Sequence, residues 1–344
     1  MTFEISLLTL QKLYPLAISR GVTSSSQNLF LKLTDASGNI GLGECSTSTS
    51  DQDAAARADK QLTQFLTDHD IEGMAIHDVD ALARTEGMDA PAIAALDTAL
   101  WDQFARKAAQ PLFRVFGLPN RSVPTSVTIG INPPEVTRER VPDILRRTGA
   151  KYLKIKLGSP EGVEADKGHF LAAKDSSAAF NVGLRVDANG GWSLTDAKAM
   201  IKWLATQDVA YVEQPLPQGS EDQLPELFAG RALPIFVDES CRTSLDAPKI
   251  ADRADGINLK LMKTGGLTEA LRLVATARAH GLQTMIGCMS ESSVGIGAGA
   301  AIGALFDHID LDSHLNLNPD PGRGLGLVDG VVTPSESPGH GVSL

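Results

Sequence analysis

The stretch GLRVDANGGWSLTDAKAMIKWLATQDVAYVEQPL, residues 183–216, reads as one strand–helix–strand unit. Its two ends, GLRVD and VAYVE, are short apolar runs that each close on a carboxylate, Asp187 and Glu213. Between them SLTDAKAMIKWLATQ (193–207) is helix-like, with Ser193 and Thr195 placed to open it. The same rhythm continues on both sides. Upstream stand SVTIGI (126–131) and YLKIKLG (152–158); downstream stand PIFVDES (234–240), GINLKLMKTGG (256–266), LQTMIGCM (282–289) and HIDLD (308–312). LTEALRLVATARA (267–279) is a further helix, stopped by His280-Gly281. Eight strands alternating with helices predict a parallel α/β architecture, for which an eight-stranded barrel fits the count and an open doubly wound sheet is the alternative.

Ahead of residue 121 the pattern differs. Strands are expected at Phe3–Leu13 and Leu29–Leu33, then a turn at 34–39 (TDASGN) and a short strand at Ile40. Helical patterns follow at Ala54–Asp68 and Ala92–Phe116, the second broken or kinked by Pro111. Residues 1–120 therefore read as a small α+β domain and 121–317 as the barrel. The Gly/Pro-rich tail from 318 to 344 reads as loop and hairpin running back to the first domain.

The chain of 344 residues is long enough for a large core, and its 42% hydrophobic and 21% charged content is that of a globular protein. Acidic residues outnumber basic ones, 42 to 31, for a formal charge of −11, which disfavours nucleic acid and anionic membranes as partners. Cys45, Cys241 and Cys288 form no C-x-x-C pair, so a reducing cytoplasm is expected. The N-terminus MTFEISLLTLQKLYPL alternates like a strand and lacks the basic start of a signal peptide, and Val294–Phe306 is too short to span a bilayer.

Charges gather at the strand ends: Lys154 and Lys156, Asp187, Glu213, Asp238, Lys260, then Asp310 and Asp312. In a barrel these ends converge on one mouth, where charge is costly unless it pairs or binds an ion. Asp187, Glu213 and Asp238 follow at steps of 26 and 25 residues, one βα unit each, and make a hard-oxygen set suited to Mg²⁺. Lys154 and Lys156, two apart on a strand, point to one face. Repulsion from a neighbouring ammonium and a cation lowers a lysine, which must fall by about three units, roughly 4 kcal/mol, to act as a base near neutrality. Lys260, on the sixth barrel strand, stands opposite the second; Lys263, three residues on, reads as a rim charge.

The pieces KIKLG, RVDANGGW, VEQPL, VDES and INLKLMKTGG, in that order, resemble the enolase superfamily in its muconate lactonizing subgroup, and GLGEC (41–45) and ALDTALWD (95–102) resemble that group's capping domain. The resemblance covers nearly the whole chain. It implies a (β/α)7β TIM-like barrel with an α+β capping domain, one Mg²⁺ per subunit on Asp187, Glu213 and Asp238 with Mn²⁺ as a substitute, and acid/base roles for Lys156 and Lys260. Lys154 is implied as the partner that lowers Lys156, and Asn189 as a substrate contact. A lysine base beside Mg²⁺ that stabilises an enediolate is the general pattern of this superfamily.

Asp310-x-Asp312 is similar to the signature of dipeptide epimerases, whose acids hold the substrate's free ammonium, a buried cation that requires counter-charge. GLTEALRLVATARAHG and GCM (287–289) resemble the bacterial alanyl-glutamate epimerases. The resemblance implies 1,1-proton transfer at the α-carbon of a dipeptide's second residue and a place in murein-peptide recycling. It also implies a pocket lined by Thr128, Cys288 and Ser290, although Cys288 reads equally as a packed small residue. A mobile loop at 17–28 would read the side chain; Arg20, its one basic residue, is the candidate partner for a glutamate carboxylate, against the reading of a surface arginine. The rival activities are o-succinylbenzoate synthase and muconate cycloisomerase, which need no Asp310 and Asp312, and, more remotely, a non-catalytic binding protein on this fold. A homo-oligomer stays open.

Overall fold

The computed structural model describes residues 1–47, 51 and 53–344. Its first part is an antiparallel sheet, ordered β1 (Thr2–Ile18), β2 (Gly21–Thr34), β3 (Ile40–Ser46). Helices 54–68, 76–85 and 90–107 cover one face, packing Leu62, Phe65 and Leu96 onto Leu29, Leu31 and Leu33. Helix 90–107 lies directly on the β3 backbone. A Cβ on Gly41 or Gly43 would come within 2.0 Å of the Ala99 or Ala95 carbonyl oxygen, so glycine is required at both.

One expectation is corrected here. Residues 17–28 are not a loop: β1 and β2 continue to a tight hairpin that turns at Ser19-Arg20, joined by pairs such as Leu16–Thr23 and Gln11–Ser25. The polar run TSSSQN hides a strand because its stability comes from cross-strand pairing and not from alternating hydrophobicity. The helical pattern 92–116 is broken at Pro111 as expected, into helices 90–107 and 112–115, because Pro111 has no N–H to continue the ladder.

The second part is a barrel of eight parallel strands: β4 (Ser126–Ile129), β5 (Tyr152–Lys156), β6 (Gly183–Asp187), β7 (Val209–Glu213), β8 (Ile235–Val237), β9 (Gly256–Lys260), β10 (Gln283–Gly287) and β11 (His308–Asp310). At least one helix lies between each consecutive pair, giving the (β/α)7β order. The ring closes where Thr125 pairs with Ile309 and Leu311 N–H donates to Thr125 Oγ1 at 2.8 Å. The open sheet is thereby excluded. Tyr211, Phe236 and Met285 fill the barrel's interior below the mouth. In the tail, the hairpin β12 (Gly326–Val328) and β13 (Val331–Thr333) lies against the barrel floor, with Thr125 N–H donating to Gly330 O, while His340 and Val342 pack beside Leu42 of β3. Among the described residues no helix is long and apolar enough to cross a membrane.

Candidate active site

Period-two alternation turns every second residue of each barrel strand inward. Successive strand ends thereby bring Lys156, Asp187, Glu213, Lys260 and Asp310 to one mouth. Asp238 follows β8 by one residue. Asp187 and Glu213 are in register with each other, as are Lys156 and Asp187. Lys156 and Lys260 end the second and sixth of eight strands and so stand on opposite sides of the ring.

The charges form a paired network. Lys154, fully buried, donates to Asp310 Oδ2 at 2.6 Å and lies 2.7 Å from Glu213 Oε2 and 3.3 Å from Asp187 Oδ2. Lys156 donates to Asp187 Oδ2 at 2.6 Å, and Lys260 to Asp238 Oδ2 at 2.7 Å. Lys263 is not a rim charge. It lies on the one-turn helix 261–264, which folds its ammonium back onto the Asp238 carboxylate and, at 2.6 Å, the Asp238 carbonyl.

Burial and charge pull these groups apart. For Lys154, the lowering effect of burial is outweighed by Asp310, Glu213 and Asp187, which hold its ammonium well above the ordinary lysine range. For Asp187, burial is outweighed by Lys156 and Lys154, leaving its carboxyl at about 2. Asp238 falls further below the usual range, burial being overcome by Lys260 and Lys263. Glu213 goes the other way: burial, then the Asp187 charge, push it up to about 7. Three buried carboxylates on three adjacent strand ends, with no thiol or imidazole among them, fit Mg²⁺ by donor chemistry. The crowding that lifts Glu213 is the kind a cation relieves. As oriented here their oxygens face the lysines, and among the described residues no three converge on a single ion position.

Above this layer opens a cavity of about 280 Å³, reached by Lys156, Lys260, Thr128, Asn189, Cys288, Ser290, Asp310, Asp312 and Arg20. Lys154, Asp187, Glu213 and Asp238 lie beneath it. Asn189 is held in a left-handed conformation (φ 44°) by N–H donation to Asp187 Oδ1 at 2.8 Å. Cys288 donates its thiol to the Asp310 carbonyl at 3.3 Å, and Ser290 uses its carbonyl to accept from Asn28 and Ser46 of the cap. Both follow β10 in a loop, outside the strand. Asp312 likewise lies past the end of β11, accepting from Thr128 N–H at 2.7 Å; burial and the Asp310 charge raise its carboxyl to about 6.

Arg20 does not present a free guanidinium. It donates to Glu239 Oε1 at 2.6 Å and to the Asn189 carbonyl at 2.7 Å, fastening the hairpin tip to the barrel, and Ser19 Oγ adds a bond to the same carbonyl. Sequence reading missed Glu239, Asn258, which donates to Glu213 Oε1 at 2.7 Å, and Lys12, which lines the cavity from β1. Asn258 lies two residues before Lys260 on β9 and so faces the same interior, a signal available from spacing alone.

Comparison with known proteins agrees with this architecture. The family model "Mandelate racemase / muconate lactonizing enzyme, N-terminal domain" matches residues 4–117, and "Enolase C-terminal domain-like" matches 137–344. A hydrophobic dipeptide epimerase of Roseobacter litoralis is 55% identical over 99% of this chain and 98% of its own. One from a Flavobacteria bacterium is 52% identical over 100% and 98%. The crystal structure of an Enterococcus faecalis dipeptide epimerase, complexed with Mg and L-Leu-L-Tyr, matches with a TM-score of 0.91 at 28% identity, over 99% of both chains. With both halves of the chain matched in order and relatives above half identity end to end, this protein belongs to the mandelate racemase/muconate lactonizing enzyme family of the enolase superfamily.

Proposed function

We propose that the protein is a dipeptide epimerase that inverts the α-carbon of the second residue by 1,1-proton transfer, and that this residue carries an apolar side chain. The observation that carries the reading is the placement of Lys156 and Lys260 on opposite sides of one mouth, both reaching the cavity. Inversion requires one group to take a proton from one face and another to return a proton to the other. Lys156 and Lys260 are the two acid/base groups.

Asp187, Glu213 and Asp238 would hold Mg²⁺, with Mn²⁺ able to replace it. When bound, that ion supplies electrostatic stabilisation of the charge that grows on the substrate carboxylate. Lys154, fixed in its charged form by three acids, contributes a permanent positive charge beneath the same carboxylate and does not exchange protons. Asp310 and Asp312 receive the free ammonium of the first residue, and Thr128 orients Asp312 through its backbone N–H. Asn189, Cys288 and Ser290 shape the walls.

The apolar preference is supported by Ile18, Val22 and Met289 in the cavity wall and by the commitment of Arg20 to Glu239 and Asn189. The names of the two relatives above half identity point the same way. Three free cysteines and the acidic surface charge support a cytoplasmic location.

The test is a dipeptide library incubated with Mg²⁺ in D₂O, followed by mass for α-deuterium at the second residue. Uptake into dipeptides ending in Leu, Val or Tyr is expected. Exchange confined to non-peptide acids would shift the reading to a cycloisomerase or o-succinylbenzoate synthase.

A further inference from the structure

We infer that Lys12 is a specificity-determining residue that receives the side chain of the substrate's first residue when that side chain ends in a carboxylate or an amide carbonyl. The inference rests on the dipeptide reading above and extends it to a residue which that reading leaves without a role.

Lys12 lies where β1 leaves its register with β2, between the pairs Gln11–Ser25 and Leu16–Thr23. There β1 turns to a different neighbour, the segment that follows β11. Lys12 bridges Leu317, and Asn318 N–H donates to the Gln11 carbonyl at 2.9 Å. Asn316 grips the far side, accepting from Tyr14 N–H at 3.0 Å and donating to the Tyr14 carbonyl at 2.9 Å. Lys12 is thus clamped before and after, and its side chain is not a wandering surface arm.

The amine is buried, and among the described residues it has no hydrogen-bond partner. Burial lowers it to about 8, and no acid counters that effect. A buried, unpaired ammonium is costly, so an acceptor delivered into the space it lines is held strongly. That space is the cavity above the catalytic layer, where Lys12 is accompanied by Leu16 and Leu317, so its polar end stands in an apolar wall. A side chain that complements this wall has an apolar stem and an acceptor at its tip.

The same clamp decides which residue of the dipeptide Lys12 meets. Leu317 and Asn316 follow Asp310 and Asp312 by a few residues, through the short turn 313–316. Lys12 is therefore tied to the segment that carries the two acids for the substrate ammonium, and so to the first residue. The second residue, whose α-carbon reacts, lies between Lys156 and Lys260.

Three dipeptides of similar bulk separate the possibilities: Glu-Leu, Gln-Leu and Met-Leu, each followed by α-deuterium uptake at Leu. The chemistry is then constant, and only recognition of the first side chain varies. The wild-type protein is expected to favour Glu-Leu and Gln-Leu over Met-Leu in kcat/KM. Lys12→Met should reduce the Glu-over-Met ratio about tenfold or more, the scale of one lost charge-assisted hydrogen bond. Lys12→Arg should keep the Glu preference. Lys12→Gln, which retains length and polarity without charge, serves if Lys12→Met does not fold, and should lose the Glu preference. A ratio unchanged within threefold in the neutral variants overturns the role of Lys12 and leaves the epimerase reading standing. Absence of exchange into every dipeptide by the wild-type protein overturns both.

Discussion

The floor and the mouth of this barrel both bury charge among the same eight strands, and they do it in opposite ways. On the floor, Arg185 is 2% exposed and pairs with no carboxylate among the described residues. Its guanidinium donates to Ser126 Oγ at 2.8 Å and to the Ile309 carbonyl at 3.0 Å, and it stacks over Tyr152 at 3.8 Å from the ring centroid. Those partners are neutral, and its Nε keeps no hydrogen-bond partner among the described residues. At the mouth, toward the C-terminal ends of the barrel strands, Lys154, Lys156, Lys260 and Lys263 share Asp187, Glu213, Asp238 and Asp310. No charge there is satisfied alone, and the carboxyls are driven apart, Asp238 and Asp187 held low and Glu213 pushed up to about 7. Burial of charge is common to both ends. A shared network of buried opposite charges marks the end that does chemistry.

The largest effect expected from that difference follows from removing the divalent ion. A chelator should abolish epimerisation, Mg²⁺ should restore it, and the thermal transition of the protein should rise as Mg²⁺ is returned, because binding to the folded state alone stabilises it. Full activity after exhaustive chelation would dissolve the distinction between the mouth and the floor.

Next comes the ammonium site. Asp310→Asn with Asp312→Asn should lower kcat/KM for dipeptides by roughly a hundredfold or more, since a buried cation would lose both counter-charges. Unaltered dipeptide turnover would remove that role from the pair. The pH dependence sharpens the point. Asp312 holds its proton up to about pH 6, so acidification through that value removes a negative charge from the pair. KM for dipeptides should then rise by about tenfold per pH unit below 6 while kcat at saturation is less affected. In Asp312→Asn the inflection should vanish.

The smallest catalytic effect belongs to the floor. Arg185→Met should cost about 1–3 kcal/mol of stability by stranding Ser126 and the Ile309 carbonyl, with kcat/KM nearly unchanged. Denaturant unfolding and steady-state kinetics of the same sample separate the two.

The sequence foretold the mouth better than the cap, for a physical reason. Each catalytic-layer residue sits at the end of a short apolar run, so the run dates its position within one residue; Asp187, Glu213 and Lys260 are final strand residues. The cap hairpin is written in Thr, Ser and Gln, and nothing in TSSSQN alternates. Its strand character depends on pairing with β1, and the engagements of Lys12 with Leu317 and of Arg20 with Glu239 depend on partners more than two hundred residues away. Lys263 was misplaced for a related reason: sequence spacing puts it beyond the strand, but a single helical turn returns its amine to Asp238.

The most direct trial of the two-faced mouth uses Lys156→Met and Lys260→Met, each incubated in D₂O with an L,L-dipeptide and separately with its L,D-epimer. Each variant should retain α-deuterium exchange from one epimer only, and the two variants should retain opposite ones. Loss of the same epimer in both variants, or exchange of both epimers by either, would contradict the account.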